Sequence, residues 1–318
     1  MADATPSLPP VHAADAAGLA EATRTLAAGG LVAVPTETVY GLAADAMNPD
    51  AVAAIFAAKG RPAENPLIVH VAGRAMAARY ARFSRLADAL ADRFWPGALT
   101  LVLPRGADAP LAEAVTAGLP TVALRVPAHP VMQALIAGLG RGIAAPSANV
   151  SGRLSPTRAE HLAGLQVPLV LDGGACAAGL ESTVVKVGGP PGAEIATLLR
   201  PGAIPAEAIE AVTGAPLGRP QPGAVEAPGM HFRHYAPGKP LRLEATEARP
   251  GEVLIGFGAV GGDFNLSPTG DLAEAARNLF AALHAADSGP KRAIAVAPIP
   301  ETGLGVAIND RLRRAARG

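Results

Sequence analysis

The sequence predicts an α/β protein with a three-layer αβα domain over residues 1–213, a Pro-rich connector over 214–240 and a smaller α/β domain over 241–318. Three observations carry this. Short apolar runs bounded by Gly or Pro alternate with stretches of helical periodicity. Six prolines (Pro216, Pro220, Pro222, Pro228, Pro237, Pro240) fall within 214–240, where neither a helix nor a central strand tolerates them. The chain has 318 residues, 50% hydrophobic and 17% charged, enough to bury two cores and too apolar for disorder.

Residues 14–28 read as a helix with Leu19, Thr23 and Leu26 on one face, ended by Gly29-Gly30. The apolar run 31–34 is a strand stopped by Pro35. Asn48-Pro49-Asp50 starts the next helix with a cap, a first-turn Pro and an acid at the positive dipole end. Val52, Ile55, Phe56 and Lys59 share its face, and Gly60 ends it. A strand follows over 67–71. Ser84 caps a helix through Phe94, and Trp95-Pro96-Gly97 turns into a strand over 99–103. Further strands are expected over 121–126, 142–145, 167–171, 183–187 and 195–199, with helices over 130–137 and 158–165. Beyond the connector come a strand (252–257), a helix (271–286), a strand (293–297) and a last helix (304–316).

Composition excludes several classes. Lys+Arg and Asp+Glu both number 27, so bulk charge gives no support for nucleic-acid binding. The single Cys176 excludes an intramolecular disulfide framework and a Cys-rich zinc site. Residues 1–11 lack a basic start followed by an apolar run, and no stretch approaches ~18 uninterrupted apolar residues, so a cytoplasmic protein without a membrane span is expected. Walker, Gly-x-Gly-x-x-Gly and Gly-x-Ser-x-Gly motifs are all missing, and no His pair has zinc spacing.

Six clusters could carry chemistry. Pro35-Thr-Glu-Thr-Val-Tyr-Gly41 follows a strand, where open α/β sheets bind ligands, or is an ordinary polar turn. Lys59-Gly-Arg-Pro62 sets two cations on one short loop, suited to a polyphosphate or simply solvated. Arg125 lies inside an otherwise apolar strand and needs an anionic partner, either a structural carboxylate or a substrate's. Ala145-Pro-Ser-Ala-Asn-Val-Ser-Gly152 offers hydroxyls and backbone N–H groups. Glu181-Ser-Thr183 leads into a strand, and Arg200 closes one. Together these favour positioning of charged groups over covalent catalysis.

These motifs, with Asn65-Pro-Leu67, Leu124-Arg-Val-Pro127, Glu181-Ser-Thr-Val184 and Arg200-Pro-Gly202, resemble in order and spacing the YrdC-type threonylcarbamoyl-AMP synthases. Pro228-Gly-Met-His-Phe-Arg-His-Tyr-Ala-Pro237, Asn265-Leu-Ser-Pro268, Gly303-Leu-Gly-Val-Ala-Ile308 and Arg311-Leu-Arg-Arg314 are similar to the long, two-domain form. The resemblance implies a YrdC-like three-layer domain with a twisted mixed sheet and a smaller Rossmann-like C-terminal domain. It implies a nucleotidyltransferase that makes threonylcarbamoyl-AMP and pyrophosphate from L-threonine, bicarbonate and ATP, with Mg²⁺ accompanying ATP. Downstream threonylcarbamoyl-transferase proteins would then modify tRNA beside the anticodon.

By the same resemblance, Thr38, His70, Arg125, Ala145 and Ser182 would bind threonine. Arg61, Asn65, Thr121, Ser147, Ser155, Arg200 and Tyr235 would surround ATP, with Lys59 and Arg61 as the catalytic cations. Thr36 and Tyr40 would stand behind them, and which of Thr36 and Thr38 meets threonine stays open. Tyr235 would close over the site as a lid. Two rivals are a carbamoyl-phosphate enzyme of the same fold, which belongs in a longer chain with zinc-finger Cys motifs, and a non-catalytic RNA-binding module. For the latter, Arg311, Arg313, Arg314 and Arg317 form a basic tail, read here as a solvated helix with cations at its C-terminal end.

Overall fold

A computed structural model of the protein describes residues 8–190, 192–221, 223, 226–227 and 235–317. The first domain is built on one ten-stranded sheet. Its strands are β1 (Val11–Ala13), β2 (Val32–Val34), β3 (Gly41–Asp45), β4 (Ile68–His70), β5 (Leu99–Pro104), β6 (Thr121–Arg125), β7 (Ile143–Ala144), β8 (Val170–Asp172), β9 (Thr183–Gly188) and β10 (Ile195–Arg200). The order is β1-β8-β2-β3-β7-β4-β6-β5-β9-β10. The sheet is mixed: β4 runs parallel to β6 and β5 to β9, while β3–β7, β5–β6 and β9–β10 are antiparallel.

Helices cover both faces. On one, α1 (Ala16–Ala27) and α6 (Pro130–Leu139) bury Leu26, Leu135 and Ile136 against Val32 and Val34. On the other, α2 (Pro49–Lys59), α3 (Arg74–Ala77), α4 (Arg85–Phe94), α5 (Glu113–Thr116) and α7 (Ala206–Thr213) enclose Val52, Ile55, Leu90, Leu101 and Leu124. Two of these helices start as their sequences require. Asn48 Oδ1 accepts from the N–H of Asp50 and Ala51, and Ser84 Oγ from that of Ala87. Gly60, at φ 58°, ends α2 in the left-handed region.

One expectation for the first domain is corrected and one strand is added. Residues 41–45, to which the sequence reading assigns no element beyond Gly41 of the Pro35–Gly41 cluster, form the buried strand β3, whose Gly-Leu-Ala-Ala-Asp sequence lacks the β-branched residues that signal a strand. The helix expected over 158–165 shrinks to one 3₁₀ turn, Ala159–Leu162. His161 Nδ1 accepts from the N–H of Thr157, and Gly164 follows at φ 86°, so the turn is closed at both ends.

In the second domain, β11 (Leu241–Arg242), β12 (Glu252–Gly256), β13 (Phe264–Asn265) and β14 (Ala293–Val296) form a parallel sheet ordered β11-β14-β12-β13. Helices α8 (Leu272–Ser288) and α9 (Leu304–Ala315) pack Leu279, Phe280, Ile308 and Leu312 onto it. This core also takes in Leu154, Leu180 and Tyr235, so the domains share buried surface. His161 stacks on His284 of α8 with ring centroids 3.9 Å apart, and Arg277 Nε donates to Ala177 O. At Gly179 (φ 70°) a Cβ would come within 2.5 Å of the Arg277 backbone, so the close approach to α8 needs glycine. None of the described helices is long and apolar enough to cross a membrane.

Candidate active site

The strand directions bring the singled-out clusters in from both ends of the strands. Thr36 and Thr38 follow β2 and Ser147 follows β7 at one end, while His70 ends β4, Arg125 ends β6, Arg200 ends β10 and Ser182 precedes β9 at the other. Their side chains, with Arg61, Glu181 and Tyr235, line one partly open cavity.

At one end of the cavity His70 lies opposite Arg125 in the β4–β6 register. Arg125 Nε donates to Gly97 O (3.1 Å) and Nη1 to Thr38 Oγ1 (2.8 Å). Its Nη2 stands 2.7 Å from Glu37 Oε1. That contact is a close ion pair, although its alignment is poor, and the Ala128 backbone N–H also supports the carboxylate. Burial pushes the Glu37 carboxyl up, but the Arg125 guanidinium together with backbone N–H groups, that of Ala128 among them, holds the group below its usual range. Burial, aided by the Arg125 charge, lowers His70 to about 3; the ring is neutral at pH 7, and its buried Nδ1 has no partner. Thr36 is committed locally: its hydroxyl donates to Val39 O and accepts from the N–H of Thr38 and Val39.

At the other end, Arg61 Nε and Nη2 donate to Asn65 O and Pro66 O. Burial and the neighbouring Arg200 bring it down to about 10. Arg200 Nη2 donates to Ser182 O (2.8 Å) and Ser182 Oγ (3.2 Å). Tyr235 is buried here with φ 66°, a left-handed backbone that costs a non-glycine residue about 1–2 kcal/mol. Its ring packs against Phe280 of α8 at 5.8 Å, and the Arg311 guanidinium stands 5.0 Å from its centroid. The seat of this connector residue is therefore made by the second domain.

Nine of the thirteen expected site residues line the cavity: Thr38, Arg61, His70, Arg125, Ala145, Ser147, Ser182, Arg200 and Tyr235. Lys59, Asn65, Thr121 and Ser155 stand behind or beside it. The Lys59 ammonium is buried and donates to Ser147 O and Asn149 O, clamping the loop after β7. Asn65 supplies the carbonyl that orients Arg61. Thr121 lies at the opposite end of β6 from Arg125. Ser155 Oγ donates to Glu181 Oε1. The Pro228–His234 part of the connector motif lies outside the described residues.

The reading of Arg311 as part of a solvated tail is corrected. Arg311 is fully buried; Nε donates to Glu181 Oε2 (2.9 Å) and Nη1 to Pro201 O (2.9 Å) across the domain boundary. Burial would raise Glu181, yet Arg311 and Arg200 hold it down to about 2. A signal existed: Ile308, Arg311, Leu312 and Ala315 share one face at helical spacing, and all are buried.

Two family models match in tandem. The one described as "Telomere recombination" covers residues 24–202, and "Threonylcarbamoyl-AMP synthase, C-terminal domain" covers 204–317. The threonylcarbamoyl-AMP synthase of Pyrococcus abyssi is 43% identical over 91% of this chain and 91% of its own length. That of Bacillus subtilis is 42% identical over 94% and 93%. The chain belongs to the threonylcarbamoyl-AMP synthase family. Among solved structures, P. abyssi Sua5 complexed with L-threonine superposes with a TM-score of 0.86 at 37% identity, over 98% of this chain and 97% of that one. The family's two-domain form thus extends over the YrdC-like sheet and the smaller parallel-sheet domain alike.

Proposed function

We infer that this chain forms threonylcarbamoyl-AMP and pyrophosphate from L-threonine, bicarbonate and ATP, acting as a nucleotidyltransferase. The observation that carries the reading is one cavity lined by three guanidiniums, of Arg61, Arg125 and Arg200. The threonine amine and bicarbonate give a carbamate and water. A carbamate oxygen then bonds to the α-phosphorus of ATP as the bond to the pyrophosphate oxygen breaks. No protein nucleophile is needed, so the protein's work is orientation and charge stabilisation in a dry site.

Arg125 Nη2 takes the threonine carboxylate, with Thr38 beside it; Thr36 is already engaged within its turn. Neutral His70 offers Nδ1 to the amino acid without repelling its ammonium. Arg61 and Arg200 face the phosphates, and Lys59 keeps the Ser147 loop in position for them. Mg²⁺ arrives with ATP as substrate. Among the described residues no group of three or more His, Cys, Asp or Glu could hold a metal ion, and both Glu37 and Glu181 face arginines. Tyr235 lines the cavity from its seat against α8 and, in this reading, moves aside to admit nucleotide and returns to exclude water from the adenylate. The product passes to threonylcarbamoyl-transferase proteins that act on tRNA. The test is pyrophosphate release from ATP: it should require both threonine and bicarbonate and no RNA, and turnover without either one would overturn the reading.

A further inference from the structure

Proton accounting around Ser182 singles out Thr100 of β5, a residue absent from the motifs above and from the cavity lining. Thr100 is fully buried, and among the described residues its hydroxyl has one hydrogen bond, to Ser182 Oγ at 2.7 Å. Ser182 Oγ also accepts from Arg200 Nη2 at 3.2 Å. A serine hydroxyl has one proton and two lone pairs, and the guanidinium, which can only donate, takes one lone pair.

Two arrangements remain. If Ser182 donated to Thr100, the Thr100 proton would be buried with no acceptor, an unmade bond that costs more than a made one gains. If Thr100 donates to Ser182, both lone pairs of Ser182 are used and both donors are satisfied. The Ser182 proton then has only the cavity to point into.

We propose that Thr100 is a positioning residue that fixes the Ser182 hydroxyl as a donor into the cavity, presetting it for an anionic oxygen of the amino-acid substrate or its carbamate. The idea rests on the reading of this cavity as the threonine site. It explains why a Thr stands among the apolar residues of β5 at the position facing Ser182: a freely rotating hydroxyl would have to be ordered on binding, whereas a preset one is not.

The test is calorimetric titration of L-threonine into the full chain, with Thr100→Val (nearly isosteric), Thr100→Ala (no added bulk), Thr100→Ser, Ser182→Ala and the double variant Thr100→Val/Ser182→Ala. Loss of one preset hydrogen bond should weaken threonine binding about tenfold in Thr100→Val and Thr100→Ala, raise the KM for threonine and leave that for ATP unchanged. Thr100→Ser should restore affinity. In the Ser182→Ala background Thr100→Val should change nothing, because the effect passes through that hydroxyl. Wild-type affinity in both Thr100 variants, or an equal loss with and without Ser182, would overturn the assignment. A wild-type chain that bound no threonine would instead remove the site reading beneath it.

Discussion

Two buried arginine–glutamate pairs each give one member to the cavity lining, and they are built differently. Arg311–Glu181 joins the two domains, and both carboxylate oxygens are used: Oε2 accepts from Arg311 and Oε1 from Ser155. Arg125–Glu37 lies within the first domain, where Arg125 also donates to Gly97 O and Thr38 Oγ1. Both pairs neutralise charge, and in both the arginine Nη2 lacks a well-aligned hydrogen bond, so hydrogen-bond completeness does not tell them apart. Position does: Arg125 lines the cavity, whereas Arg311 reaches from α9 to Glu181 and Pro201 behind it. Access to the cavity, rather than charge or depth, separates the two arginines.

The largest effect should come from Arg311→Ala, which strands the Glu181 charge in a dry boundary at a cost of about 3–5 kcal/mol. Urea unfolding should show that loss, and pyrophosphate release should fall with it because the Tyr235 seat is gone. A pH signature accompanies it. Glu181 sits at about 2 in the folded protein against an ordinary 4.5, so its stabilisation is complete above 4.5 and is lost as pH falls through about 2. Arg311→Ala should flatten that part of the acid limb. An unchanged limb would mean that Arg200 alone holds the carboxylate down.

Arg125→Ala comes next and should act on binding: threonine affinity should drop by about 2–5 kcal/mol, the usual result of removing one partner of a buried charge pair. Titration of a folded variant with undiminished affinity would place the carboxylate site elsewhere and erase the contrast between the two pairs. Tyr235→Ala is the third. Both sheets keep their own cores, so the fold should survive, while the adenylate, no longer shielded, should hydrolyse faster. Chromatography of the product over time checks this, and a normal product lifetime with normal activity would end the lid assignment.

Much of the fold was legible because its signals are local. Asn48-Pro49-Asp50 and the cap at Ser84 each act within one turn, and each stands where the sequence put it. The strand β3 was not legible, since Gly-Leu-Ala-Ala-Asp has no strand signal of its own and is held between β2 and β7 by pairing. For the site, the motifs gave the lining, but not which side chains face inward. Lys59 shares a loop with Arg61 yet turns to the Ser147 loop, a choice made by tertiary packing. Arg311 is the instructive miss. Its charge suggested solvent, its helical spacing suggested burial, and the deciding partner, Glu181, lies 130 positions away in the chain.

The smallest effect should come from Arg313→Ala, and it isolates what makes Arg311 matter. The two arginines lie on the same helix, two residues apart, and each pairs with a glutamate. Arg313 meets Glu301 at the surface, with the side chains 49% and 56% exposed, whereas the Arg311 side chain is 0% exposed. An exposed pair is screened and must order two long side chains, so its loss should cost no more than about 0.5 kcal/mol and vanish in high salt. Urea unfolding of Arg311→Ala and Arg313→Ala at low and high salt makes the comparison directly. If Arg313→Ala were as costly as Arg311→Ala, the helix would be stabilised by its overall charge pattern, and burial against Glu181 would not be the deciding term.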